Sequence, residues 1–315
     1  MKLAMVFPGQ GSQSVGMLQA YAGLSGVDEV RAETRAALGD EFLGLLDEGP
    51  ADALDLTRNT QPAMLAAGIA AYRAWRAAGG PAPEVVAGHS LGEYSALVAA
   101  EALALRDALP LVRYRAQAMQ EAVPEGQGAM AAILNLEDEQ VRAACAEAQA
   151  AGAEGEVVQA VNFNAPGQVV IAGSRAAVAR AIEACKARGA KRALPLPVSA
   201  PFHSSLMRPA AEKLGGYLQK VSLAAPKIAL INNVDVAEER EPARIRDALV
   251  RQAASPVRWA ETVRRMAQLG VTHVAECGPG KVLAGLVRRI DGKLQSVALA
   301  DRAALEQALT SLKGG

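Results

Sequence analysis

The stretch VVAGHSLGEYSALV, residues 85–98, sets Ser90 between Gly88 and Gly92, directly after an apolar run and directly before helix-forming sequence. A strand that turns this sharply into a helix needs small residues on both sides of the turn, because the two backbones pass close to each other. The turn lifts the serine hydroxyl above the sheet edge, and the following helix aims its first N–H groups at the same spot. Such a turn implies a nucleophile and a sheet of parallel strands. The alternative is an ordinary strand-to-helix turn whose serine caps the helix.

Working outward, strand-like and helix-like runs alternate. Residues 2–7 read as a buried strand stopped by Pro8-Gly9, 62–78 as an alanine-rich helix ended by Gly79-Gly80-Pro81, and 84–88 as the strand before the serine. Further strands are expected at 228–231, 272–277 and 294–299, each separated from the next by helical sequence, which argues for a mostly parallel sheet covered by helices. Between residues 129 and 196 the rhythm changes to strand, helix, two strands joined at Asn164-Ala165-Pro166-Gly167, helix capped by Ser174, strand. That βαββαβ order is ferredoxin-like. Breaker-rich sequence bounds it at Pro124-Glu125-Gly126 and at 195–201. The expected architecture is therefore α/β, a hydrolase-like parallel-sheet large domain (1–125 and 198–315) with an inserted ferredoxin-like small lobe (126–197).

A nucleophilic serine needs a base, and the chain has three histidines. His89 adjoins the serine and leaves the turn in another direction. His273 lies within an apolar strand. His203, in SAPFHSS, stands where the chain re-enters the large domain and is the best placed. No acid completes a triad convincingly: Asp107 reads as a helix cap, and Glu137, Asp138 and Glu139 as a solvated helix start. The pattern points to a Ser–His dyad whose imidazole is held by a backbone carbonyl. The glycine loop Pro8-Gly9-Gln10-Gly11-Ser12-Gln13 lacks the Gly-Lys-Ser/Thr of a phosphate cradle. It reads better as the source of one oxyanion-binding N–H, the other coming from Leu91. On the helix after residue 105, Leu105, Leu109, Val112, Ala116 and Met119 form an apolar stripe flanked by Arg113 and Arg115, and spacing does not choose between the two arginines.

The 315 residues are 51% hydrophobic and carry 33 basic and 33 acidic residues, so nothing in the charge balance favours nucleic acid or an anionic membrane. Three dispersed cysteines without C-x-x-C spacing suit a reducing compartment rather than a disulfide framework or zinc site. A cytoplasmic chain without metal, signal peptide or membrane span is the expectation.

FPGQGSQ (7–13), TQPAM (60–64), GHSLGEYSALV (88–98), RAQAMQEAVPEG (115–126), NFNAPGQVVIAG (162–173), VSAPFHSSLM (198–207) and SPVRW (255–259) together resemble the malonyl-CoA:acyl carrier protein transacylases of bacterial fatty acid synthesis. The resemblance covers nearly the whole chain. It implies Ser90 as nucleophile and His203 as base, with Gln10 and Leu91 at the oxyanion hole. It further implies that the Gln252 carbonyl orients the histidine, that Arg115 holds the malonyl carboxylate, and that Phe202 selects against branched acyl groups. It implies malonyl-CoA, CoA and acyl carrier protein as partners, no cofactor, and a monomer. A basic rim of Arg188, Lys191 and Arg192 is a candidate for meeting the acidic carrier. Rival readings are a serine thioesterase or hydrolase, a stand-alone acyltransferase of polyketide synthesis, and a non-catalytic protein on a retained fold.

Overall fold

A computed structural model describes residues 1–198 and 200–313. Its strands are β1 (Leu3–Phe7), β2 (Val85–Gly88), β3 (Gly128–Leu134), β4 (Val158–Ala165), β5 (Gln168–Ser174), β6 (Arg192–Pro195), β7 (Ala229–Ile231), β8 (His273–Cys277) and β9 (Gln295–Leu299). They form two sheets, one of order β7-β2-β1-β8-β9 and one of order β4-β5-β3-β6. Every pairing in the first is parallel and every pairing in the second antiparallel.

β1 shows why the parallel sheet is central. All five of its residues are buried; Leu3, Met5 and Phe7 join the apolar cluster on one face, while Ala4 and Val6 join the cluster on the other. A strand covered on both faces carries no polar alternation, and successive side chains go to opposite layers. Against the first face lies the helix Thr57–Ala77, whose Ala63, Ala66, Ala67, Ala70, Ala71 and Ala74 are all buried. Small side chains bring this helix close: a Cβ on Gly68 would stand 3.3 Å from both the Cys277 carbonyl oxygen and Phe7 Cδ1. The helix begins five residues before the expected position and runs through Pro62, which gives up one backbone hydrogen bond in its second turn. Trp259, Val263, Met266 and Val287 cover the other face.

The second sheet has the ferredoxin-like order. Ala131, Ile133, Val169 and Ile171 pack under the helices Asp138–Ala150 and Arg175–Ala187, whereas Met130, Val170 and Ala172 face the large domain. Its β4 is stitched to the large domain at Val257, whose N–H donates to Val161 O at 2.8 Å and whose carbonyl accepts Phe163 N–H at 3.0 Å. Two local expectations change. Ser174 precedes its helix, but its hydroxyl accepts the Val157 N–H instead of capping. Asp107 lies inside the helix Leu105–Glu121 and Ala104 is the cap residue, because the extended backbone breaks earlier, after Ala104.

Cys145, Cys185 and Cys277 are free and buried. No described helix is long and apolar enough to cross a membrane.

Candidate active site

Ser90 follows β2 with φ of 54°, a left-handed backbone that a non-glycine residue adopts only where its surroundings impose it. The imposition is steric. A Cβ on Gly88 would fall 1.8 Å from the Gly92 carbonyl carbon, and one on Gly92 would fall 2.0 Å from Phe7 O, so the turn closes onto itself and onto β1 only with glycine at both places. Asn233, just past β7, clamps the turn: its Oδ1 accepts Ser90 N–H and its Nδ2 donates to Gly88 O, both at 2.7 Å.

His203 is buried and also left-handed, with φ of 64°. Its Nε2 lies 2.7 Å from Ser90 Oγ and its Nδ1 2.9 Å from the Gln252 carbonyl oxygen. A carbonyl only accepts, so Nδ1 carries the proton and Nε2 presents a lone pair to the serine hydroxyl. Burial, and after it the positive Arg115, push the imidazole pKa down from 6.5 to about 3, which keeps the ring neutral and its Nε2 lone pair unprotonated. Among the described residues no carboxylate contacts this ring.

Arg115 projects from the helix Leu105–Glu121 into the same place and is 1% exposed. It donates to Gln61 Oε1 at 2.7 Å, Gln252 Oε1 at 2.8 Å and Ser90 Oγ at 3.2 Å, and its guanidinium lies 5.4 Å from the Tyr94 ring centroid. All three described acceptors are neutral, and its buried Nε has no partner. A planar cation fixed beside a nucleophile is a ready site for a carboxylate. Arg113, the other arginine flanking the stripe, points instead at the Phe42 ring, 5.7 Å away.

These groups open on a cavity of about 360 Å³ whose lining includes Gln10, Gly11, Leu91, Met119, Met130 and Phe202. Gln10 and Leu91 line this cavity together with Ser90, and no described residue accepts from the N–H of either. The glycine loop reaches the elbow because a Cβ on Gly9 would stand only 2.8 Å from His89 O. Phe202 is half-buried and joins Met119 to Met130 across the two lobes. The described residues contain no group of three His, Cys, Asp or Glu that could hold a metal ion.

His89 leaves the elbow as expected, its Nε2 2.8 Å from Asn164 Oδ1 in the small lobe. His273 stands at the start of β8, its Nδ1 2.8 Å from Thr272 Oγ1. Sequence reasoning passed over Glu93, Gln61, Asn233 and Asn162. Glu93 was visible as an acid three residues after the serine in the first helical turn, and Asn233 as a polar residue just beyond a parallel strand, where sites in such sheets gather. Gln61 sits inside the quoted TQPAM. Asn162, whose Oδ1 is buried without a partner at the cavity, likewise opens the quoted NFNAPGQVVIAG.

A family model described as the acyl transferase domain matches residues 4–302. The malonyl CoA-acyl carrier protein transacylase of Escherichia coli (strain K12) is 55% identical over 309 residues, 98% of this chain and 99% of that one. Its namesake from Bacillus subtilis (strain 168) is 44% identical over 313 residues, 99% of this chain and 98% of that one. Among solved structures, an acyl-carrier-protein S-malonyltransferase from Burkholderia pseudomallei superimposes with a TM-score of 0.95 at 63% identity, covering 98% of this chain and 100% of the other. A malonyl-transacylase solved in complex with a type II PKS acyl-carrier protein gives 0.95 at 49% identity, covering 99% and 100%.

Proposed function

The chain belongs to the malonyl CoA-acyl carrier protein transacylase family, and on that premise we propose that it moves a malonyl group from CoA to acyl carrier protein through a malonyl-serine at Ser90. The observation that carries this reading is the position of Ser90 Oγ between a neutral imidazole at 2.7 Å and a buried guanidinium at 3.2 Å. A base alone serves any acyl group. A base with a fixed cation serves an acyl group that ends in a carboxylate.

In the first half-reaction His203 Nε2 takes the Ser90 hydroxyl proton as Oγ attacks the thioester carbonyl. The oxyanion that forms is met by the N–H groups of Leu91 and Gln10. Collapse breaks the C–S bond, and the departing CoA sulfur receives the proton from His203. Arg115 exchanges its amide and hydroxyl acceptors for the malonyl carboxylate. Phe202, Met119 and Met130 leave an α-methyl branch little space. In the second half-reaction the pantetheine thiol of the carrier gives its proton to His203 and attacks the ester carbonyl; Ser90 leaves and recovers that proton. Each step needs a proton carrier and an oxyanion site, so metal and bound cofactor take no part. The Gln252 carbonyl keeps the imidazole in one tautomer throughout.

The two sheets divide the labour, with residues 1–125 and 198–315 supplying nucleophile and base and the lobe 126–197 walling the cavity. Lys191 and Arg192, exposed beside and on the edge strand β6, are the basic groups offered to an acidic carrier; Arg188 is engaged with Glu147. The setting is the cytoplasm, with the chain acting as a monomer. Initial-rate kinetics test the scheme: varying malonyl-CoA at several carrier concentrations gives parallel double-reciprocal lines for a covalent relay. Intersecting lines would require both substrates on the protein at once and reject it.

A further inference from the structure

Glu93 is 1% exposed, three residues after the serine, in the first turn of the helix Gly92–Ala99. Its backbone N–H donates to Ser90 O at 3.1 Å, so its backbone is anchored to the elbow. One oxygen, Oε2, accepts two bonds of 2.9 Å, from Gln252 Nε2 and from Asn233 N–H. These two partners hold the opposite halves of the dyad. Gln252 presents its carbonyl to His203, donates from Nε2 to Ser90 O at 3.0 Å and accepts from Arg115. Asn233 grips Ser90 N–H and Gly88 O. They come from distant chain segments, the end of the helix Pro242–Ala253 and the loop after β7.

We propose that Glu93 is a positioning residue, whose Oε2 locks the histidine-orienting Gln252 and the serine-clamping Asn233 into one register. This rests on the Ser90–His203 reading above. Because both bonds end on a single oxygen, an amide oxygen satisfies the same geometry, and what the site needs at this place is an acceptor at full side-chain length. Three variants separate the possibilities. Glu93→Gln keeps the acceptor and drops the charge. Glu93→Asp keeps the charge and withdraws the acceptor by one methylene. Glu93→Met keeps the bulk alone.

The test is the rate at which a fluorophosphonate labels Ser90, read with the His203 Nδ1–H proton resonance, which reports the hydrogen bond to the Gln252 carbonyl. Glu93→Gln is expected to label within about 3-fold of the unaltered chain with the resonance in place, Glu93→Asp about 10-fold slower, and Glu93→Met about 100-fold slower with the resonance shifted upfield, the scale of a dyad misplaced by about 1 Å. Glu93→Asp faster than Glu93→Gln would make charge the role, and Glu93→Met equal to Glu93→Gln would make it mere filling. Either result overturns the proposal, as does failure of the unaltered chain to label. If Glu93→Met does not fold, Asp against Gln still decides. A chain that reacts with the phosphonate but takes no malonyl from malonyl-CoA loses the malonyl reading and leaves this one standing.

Discussion

Replacing Arg115 by alanine probes the proposed carboxylate site most sharply. The guanidinium is 1% exposed and its described partners are two carboxamide oxygens and one hydroxyl. A malonyl carboxylate would replace these by charge-assisted bonds worth about 1.5–3 kcal/mol each. Two such bonds amount to about 3–6 kcal/mol, or about 10²- to 10⁴-fold in kcat/KM at about 1.4 kcal/mol per tenfold. Acetyl-CoA has no carboxylate to lose. The substitution also strips Gln61 Oε1 and Gln252 Oε1 of a donor and removes the charge that helps depress His203, but those effects fall on both acyl groups alike. The ratio of the two kcat/KM values isolates the clamp. Measured with one carrier protein and both CoA thioesters, the malonyl-to-acetyl ratio is expected to fall at least ~100-fold, with Arg115→Lys in between because it keeps the charge and loses the fork. A ratio that moves by less than about 5-fold would refute the reasoning, since no bidentate pair is that weak in a buried site.

The depressed His203 pKa of about 3 implies that Ser90 acylation by malonyl-CoA stays flat as pH falls from 8 to about 5, where a free imidazole of pKa 6.5 would already be protonated. In Arg115→Ala the acid limb moves up toward 6.5; an unaltered chain that loses half its rate near 6.5 contradicts this. The same displacement has a stability sign: the unfolded chain takes up this proton below 6.5 and the folded one does not, so His203 withdraws stability as pH falls through that value, whereas Glu93, raised by burial to about 7, adds stability as pH falls through 7. Gly92→Ala places a Cβ 2.0 Å from Phe7 O and is expected to destabilise the fold by about 3 kcal/mol or more, read as a lowered Tm; a melt superimposable on the wild type would deny the close approach. Asn233→Ala leaves Ser90 N–H and Gly88 O without their side-chain partners, and acylation by malonyl-CoA should slow about 10- to 100-fold with the circular dichroism spectrum retained.

The strands of the parallel sheet were legible because a strand buried on both faces leaves an uninterrupted apolar run, as in β1 and β2. The small lobe was legible for a different reason: its strand and helix runs follow a βαββαβ order, breaker-rich sequence bounds it, and glycine and proline mark its hairpin. Helix starts were less visible. The helix Thr57–Ala77 opens with polar residues whose side chains turn inward, Thr60 donating to Leu54 O at 2.7 Å, and no hydrophobic period announces that. At the cavity, residues with a local signature stood out: the serine between glycines and the histidine between breakers. Arg115 could not be told from Arg113 by spacing, because both flank one stripe and only the neighbouring helices decide which is covered. Glu93, Gln61 and Asn233 stand at visible places in the sequence, but the partners that give them their roles lie far away in it, as Gln252 and Asn233 do from Glu93 and Arg115 does from Gln61, and those pairings cannot be read from spacing.

The central claim is that Ser90 holds malonyl between two thiols. The direct measurement incubates the protein with radiolabelled malonyl-CoA alone, removes free thioester, and locates the label by peptide mass before adding phosphopantetheinylated carrier protein. Label is expected on the Ser90 peptide and absent from Ser90→Ala, and it is expected to pass to the carrier in preference to water. Label released as free malonate without the carrier, or a Ser90→Ala chain that still charges the carrier at the wild-type rate, would contradict it.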